Sequence, residues 1–264
     1  MTQIAQDSAP PTRIIIAVVN EKGGAGKTTT SLNLAGALVE RGLRVLAIDL
    51  DRQSSLTTMT LDAPTGLPTI GHCLMTPQNA LALSIVSLPI GFDIVAGGRE
   101  METVEYALAT NPTAPLRLRK LLAPLTGYDA IVLDTPPSTA LAFTAAVLAA
   151  TIVVIPTLST QADFDALTST LARLDDLREL DATGERVIVP NSYRADSSDR
   201  EGLAALRDAF GDQVADPIPL ASSIKKANNS RRPVIQYERK GAPAQAYRAL
   251  VARVLAPRGE ALHV

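Results

Sequence analysis

Aromatic residues are scarce in this chain, at 3% of the whole, and tryptophan is absent. Its core must therefore be assembled from Ala, Leu, Val and Ile. Cys73 is the single cysteine, which excludes an internal disulfide and a cysteine-based zinc site and fits a reducing cytoplasm. No run of 18 apolar residues occurs, so no transmembrane helix is expected. Met1–Pro11 lacks the basic-then-apolar design of a secretory signal. Its polar residues and the Pro10-Pro11 pair read as a disordered arm. Internal repeats and low-complexity linkers are also missing. The expected organisation is an arm over residues 1–12, one domain over 13–256 and a short tail over 257–264.

Hydrophobic residues make up 46% of the 264, enough for a sizeable core. Short β-branched runs alternate with helical patterns along the chain. The clearest runs are Ile14–Val19, Arg44–Ile48, Phe92–Val95, Ala130–Leu133, Thr151–Ile155 and Arg186–Val189. Amphipathic helices are expected at about Asp163–Leu180, Arg200–Phe210 and Pro243–Leu255, and residues 54–126 are less regular, punctuated by prolines. Apolar strands alternating with helices predict an α/β fold: one doubly wound, mostly parallel sheet with helices on both faces.

The net charge of −2 hides an asymmetry. From Pro217 onward there are nine Lys/Arg against two acidic residues, net +7, while residues 1–216 hold 16 basic and 25 acidic residues, net −9. An acidic body with a basic C-terminal fifth points to an anionic partner at that end or to a solvated basic surface.

The most informative stretch is Asn20-Glu21-Lys22-Gly23-Gly24-Ala25-Gly26-Lys27-Thr28-Thr29-Thr30. It lies between a buried strand and a helix start, the context a phosphate-binding loop needs. Glycines let the backbone approach an anion, and the first amides of the helix point at it. Lys27 would reach the terminal phosphates of ATP, and the Thr28 hydroxyl would hold Mg²⁺. The ordinary pattern G-x-x-x-x-G-K-[ST] fails, because Glu21 stands at its first glycine. The variant K-G-G-x-G-K-T-T fits, with the extra lysine Lys22. Two aspartates, Asp49 and Asp51, end the second strand, beside the loop in a doubly wound sheet. A third strand runs into Asp134-Thr135-Pro136-Pro137, the form of a Walker B carboxylate.

Together these three elements resemble the ParA family of partition ATPases, within the deviant Walker A group that also holds MinD. The resemblance extends over about residues 13–256. It implies nucleotide contacts from Lys22, Gly23, Gly24, Ala25, Gly26, Lys27, Thr28 and Thr29. It also implies adenine-side contacts at Pro190 and Asn191 and at the loop begun by Ile218-Pro219. Mg²⁺ would lie near Thr28, Asp49 and Asp134, and Asp51 would position the attacking water. Lys22 would cross a face-to-face ATP-dependent homodimer to the partner's nucleotide. Non-specific double-stranded DNA would be held by Arg194, Lys225, Lys226, Arg231, Arg232, Arg239 and Lys240. A ParB-like centromere-binding protein would stimulate hydrolysis, in a cytoplasmic, nucleoid-associated setting. The chain departs from the family at Arg52, where proline is usual, and at Ser222 and Ser223, where relatives often carry an arginine. The other readings are a cargo-positioning relative, a MinD-like membrane switch and a small-molecule metabolic ATPase. The membrane switch would need a C-terminal amphipathic helix, and Pro257 and Gly259 interrupt the tail.

Overall fold

The computed structural model describes residues 13–76, 80–137 and 140–256. The expected arm and tail lie outside them. Seven strands form one sheet: β1 (Ile14–Val18), β2 (Val45–Asp49), β3 (Ile85–Ser87), β4 (Asp93–Val95), β5 (Ala130–Asp134), β6 (Ile152–Thr157) and β7 (Glu185–Pro190). Their spatial order is β3-β4-β2-β5-β1-β6-β7, and every pairing is parallel except β3 with β4. The helices are, in chain order, α1 (Lys27–Glu40), α2 (Ser55–Thr58), α3 (Ile70–Met75), α4 (Ala80–Leu83), α5 (Glu100–Leu108), α6 (Leu116–Leu122) and α7 (Ala140–Ala149). They continue as α8 (Gln161–Asp176), α9 (Ser197–Phe210), α10 (Ser222–Asn229), α11 (Val234–Tyr237) and α12 (Ala242–Leu255).

Strand side chains alternate between faces, so each buried run feeds two cores. Ile14, Ile16 and Val18 pack with Leu34 and Leu38 of α1, Val234 of α11 and Tyr247 and Leu250 of α12. Ile15, Ala17 and Val19 pack on the other face with Phe143 of α7, Leu167 and Leu171 of α8 and Leu203 of α9. A strand covered on both sides has no polar face, which is why these runs are continuously apolar. The doubly wound parallel sheet is thus as the alternation implied. Strand β3 is an addition: its three residues pair antiparallel to β4 within the proline-punctuated stretch and are too short to show a period.

Helix bounds shift where caps decide them. Helix α8 starts at Gln161 because the Thr160 side chain caps Asp163 N–H, and its expected last turn is a separate 3₁₀ turn, Leu177–Leu180. Helix α9 starts at Ser197, capped by Asp196 through the Asp199 amide.

Glycine at position 36 lets α1 and the chain entering α11 meet closely. A Cβ there would stand 2.4 Å from Pro233 Cβ and 2.5 Å from its Cγ. Gly36→Val should lower stability by about 2 kcal/mol through overpacking, seen as a lower urea midpoint with an unchanged slope.

Candidate nucleotide site

Register brings the chemistry together. Val18 at the end of β1 pairs with Asp134, and Asp134 pairs with Asp49 across β5 and β2. The phosphate loop follows β1 directly, so three strand ends and one helix N-terminus meet at the carboxyl edge of the sheet. That edge is where doubly wound folds hold ligands.

The loop is fastened at several points. Asn20 accepts from Lys22 N–H at 2.8 Å and donates to the Pro156 carbonyl at 2.8 Å. Gly26 precedes α1 at φ 89°, and a Cβ there would fall 2.0 Å from Asn191 Nδ2. Only glycine satisfies both conditions. Asn191 itself donates to the Ala25 carbonyl at 3.0 Å. Pro190 O accepts from Ile218 N–H at 2.8 Å, and Tyr193 pairs with Pro219. Pro190, Asn191, Ile218 and Pro219 are therefore brought to the flank of the loop.

Lys27 is buried, and its ammonium donates to the Lys22 carbonyl at 2.9 Å. Burial lowers its pKa, while the charges of Asp134 and Asp51 act the other way. Asp51 is 7% exposed and accepts from Gln53 N–H at 2.8 Å. Asp134 is completely buried. One of its oxygens accepts from Ser31 at 2.8 Å and the other has no partner. Burial, and then the neighbouring Asp49 charge, push its carboxyl pKa well up, with the Thr28 side chain acting in the opposite direction. A buried carboxylate with a vacant oxygen, beside a hydroxyl and an anion loop, is a fitting donor set for Mg²⁺. That ion takes one or two carboxylates and fills the rest of its octahedron with phosphate oxygens and water. Among the described residues no cluster of three or more His, Cys, Asp or Glu is present, and such a site does not call for one.

Asp49 has a further occupation. One oxygen accepts from Asp51 N–H at 3.0 Å, and the other accepts from Thr57 N–H at 2.8 Å and Thr57 Oγ1 at 2.7 Å. Thr57 Oγ1 in turn accepts from Gly97 N–H at 2.9 Å. Asp49 thus ties the Asp51 turn to α2 and to the loop after β4, in addition to standing next to Asp134. Arg52, at the departure from the family pattern, is exposed and pairs with Glu102 of α5 at 3.4 Å. The Asp51 turn keeps its hydrogen bonds beside it: Gln53 N–H donates to the Asp51 carboxylate and Ser54 N–H to the Asp51 carbonyl.

Lys22 is engaged within its own subunit: its ammonium lies 2.7 Å from Asp163 Oδ1 on α8, with the lysine side chain 35% exposed and the aspartate 2%. Asp163, Ser31 and Thr57 were missed in the sequence. Thr57 and Ser31 had a faint signal, as hydroxyls in the first or second turn of helices that start near the site. Asp163 had none beyond its place in a capping sequence.

The basic residues are gathered but not all free. Lys225 and Lys226 are exposed on α10, Arg232 is exposed just after it, and Arg194 is exposed beside the Tyr193–Pro219 pairing. Arg239 and Lys240 are exposed before α12. Arg231, however, sits at φ 51° with its guanidinium 2.7 Å from Asp62, and Arg239 approaches Glu40 at 4.0 Å.

A family model described as AAA domain matches residues 13–183. Over 258 residues the chain is 30% identical to the chromosome partitioning protein ParA of Caulobacter vibrioides, an alignment covering 94% of this chain and 96% of that one. The chain belongs to the ParA family of ATPases. It is also 32% identical over 248 residues to the chromosome-partitioning ATPase Soj of Thermus thermophilus, covering 91% of this chain and 95% of the relative. The apo form of McdA from Cyanothece shares the fold at a TM-score of 0.83 and 22% identity, over 92% of this chain and 99% of that one. In this ParA-family ATPase the loop, Asp51 and Asp134 stand together at the carboxyl edge of the sheet.

A buried carboxyl whose pKa folding has raised costs stability through its charge: the cost grows as pH rises from the unfolded pKa to the folded one, is complete above the folded pKa, and is absent only below the unfolded one. Asp134→Asn removes that charge permanently. It should raise the melting temperature of the nucleotide-free protein by roughly 2–4 °C and abolish the stabilisation that Mg²⁺ adds to ATP. Thermal scans with ATP, with and without Mg²⁺, check both.

Proposed function

We propose that this ParA-family ATPase is a partition switch: it binds Mg-ATP, dimerises on it, grips DNA without regard to sequence, and is reset by hydrolysis. The observation that carries the reading is the meeting of Lys27 at the start of α1 with Asp51 after β2 and Asp134 at the end of β5, joined to 30% identity with a chromosome partitioning relative along nearly the whole chain. Thr28 and Asp134 would hold Mg²⁺, which neutralises charge on the phosphates. The α1 amides and Lys27 bind the phosphate oxygens, and Asp51 orients the attacking water from a turn that Asp49 and Gln53 keep rigid. Water then adds to the terminal phosphorus, and ADP leaves as the bond to its oxygen breaks.

In this reading Lys22 leaves Asp163 and reaches the nucleotide of a second subunit, as an arginine finger does in trans. Its partial exposure and single ion pair allow the exchange. The exposed cations Lys225, Lys226, Arg232 and Arg194 supply phosphate contacts, with Arg231, Arg239 and Lys240 at the margin. A dimer doubles these contacts, so nucleotide state governs DNA affinity through effective concentration. A ParB-like centromere-binding partner would stimulate hydrolysis. No helix among the described residues is long and apolar enough to cross a membrane.

Three outcomes test this. Lys22→Ala should keep ADP affinity within about twofold and lose ATP-driven dimerisation, measured by light scattering after gel filtration. Asp51→Ala should bind Mg-ATP, hydrolyse it about a hundredfold more slowly and accumulate as a dimer; turnover at the wild-type rate removes Asp51 from the water-positioning role. Lys225→Ala with Lys226→Ala should weaken binding to unrelated duplexes alike and lower the log–log salt slope by about 0.9 for each DNA phosphate no longer neutralised, with ATP-driven dimerisation retained. Tight binding of the ADP form, or preference for one duplex, would defeat the DNA switch.

A further inference from the structure

Glu21 stands where an ordinary phosphate loop has its first glycine, and α8 holds it by three side chains. Its N–H donates to Thr170 Oγ1 at 3.3 Å, its Oε2 accepts from Ser169 Oγ at 2.8 Å, and its Oε1 accepts from Arg173 Nη1 at 2.9 Å. The next residue, Lys22, is paired with Asp163 on the same helix. Both residues that enter the loop are therefore clamped to one helix. A carboxylate next to an anion-binding loop is electrostatically adverse unless it is neutralised nearby, and Arg173 does so. The hydrogen bonds from Arg173 and Ser169 and the guanidinium charge outweigh burial and hold the Glu21 pKa low.

Arg173 has a second set of contacts. Its guanidinium carbon lies 4.2 Å over the centre of the Phe143 ring, and Nη2 is 3.5 Å from Thr144 Oγ1. Phe143 and Thr144 belong to α7, the first helix after Asp134-Thr135-Pro136-Pro137. The planar fork thus has one edge on the phosphate loop and its face on the helix that leaves the Walker B carboxylate. A lysine could supply the charge but neither the fork nor the stacking plane.

We infer that Arg173 is a positioning residue that couples α7 to the Glu21-Lys22 pair, so that the placement of α7 bears on the lysine assigned above to the subunit interface. This rests on the reading of Lys22 proposed above. The coupling bears on the ATP-driven step, because it holds Glu21 and Lys22, whereas the phosphates and Mg²⁺ of one subunit are assigned above to Lys27 and Thr28.

The test is a set of variants, Arg173→Lys, Glu21→Gln and the two combined, measured beside wild type and Lys22→Ala. For each, ADP affinity, melting temperature and the Mg-ATP dimerisation constant are determined. Arg173→Lys should leave ADP affinity within about twofold and weaken dimerisation roughly tenfold. Glu21→Gln should act in the same direction, and the combined variant should be no weaker than the worse single one, because both remove one interaction. Dimerisation at the wild-type level in Arg173→Lys, additive losses in the combined variant, or a parallel loss of ADP affinity and melting temperature would each overturn the inference. If wild type dimerises with ATP and Lys22→Ala does not, such a result falls on Arg173 alone. If wild type fails to dimerise, the reading of Lys22 falls, and the inference with it.

Discussion

Two carboxylates buried side by side at the ends of neighbouring strands are the constraint around which the rest is arranged. Asp49 and Asp134 stand in register on neighbouring strands, both out of water; burial raises the carboxyl pKa of each, and the Asp49 charge adds to the rise at Asp134. The fold tolerates them by unequal means. Asp49 is surrounded by donors from Thr57 and Asp51, whereas Asp134 keeps one oxygen open toward the loop. Lys27 is a positive charge close enough to feel Asp134 and Asp51, and it too is buried. A site of this kind is poised for a cation and a polyanion arriving together, since each lowers the cost of the other's desolvation.

Much of this was legible in the chain because the informative features are local. A strand, a glycine-rich turn and a helix follow one another within thirty residues, and Asp49, Asp51 and Asp134 each end an apolar run. Local pattern carries such information well, since strand period and strand end fix where a side chain emerges. Side-chain partners from distant segments left no trace: Asp163 and Arg173 meet the site only through tertiary packing, and little in their own neighbourhoods distinguishes them from ordinary helix residues. Ser31 and Thr57, close in sequence to Lys27 and Asp51, left only the faint mark of a hydroxyl early in a helix. The short strand β3 escaped for a different reason: three residues show no period, and prolines on either side resemble loop.

Helix α8 emerges as a second organiser of the loop. Its inner face fills the core through Leu167, Leu171 and Leu174, while Asp163, Ser169, Thr170 and Arg173 address the two residues ahead of the glycines. The phosphate-facing half of the loop is instead braced by Asn191, just past β7. One half of the loop is thus braced from β7 and the other from α8, so the two halves can be perturbed separately.

Both borders of the sheet are blunted. On one side the last strand is three residues long and runs against its neighbour. On the other, β7 is met by the backbone of Val214 and Ala215, which takes up part of its outer row of hydrogen-bonding groups. Neither border offers a long run of free amides and carbonyls on which another chain could template itself. Extending this sheet from one copy to the next would need those borders to be rebuilt first, so the strand edges are poor ground for a continuous ribbon and self-association is left to the helical and loop surfaces.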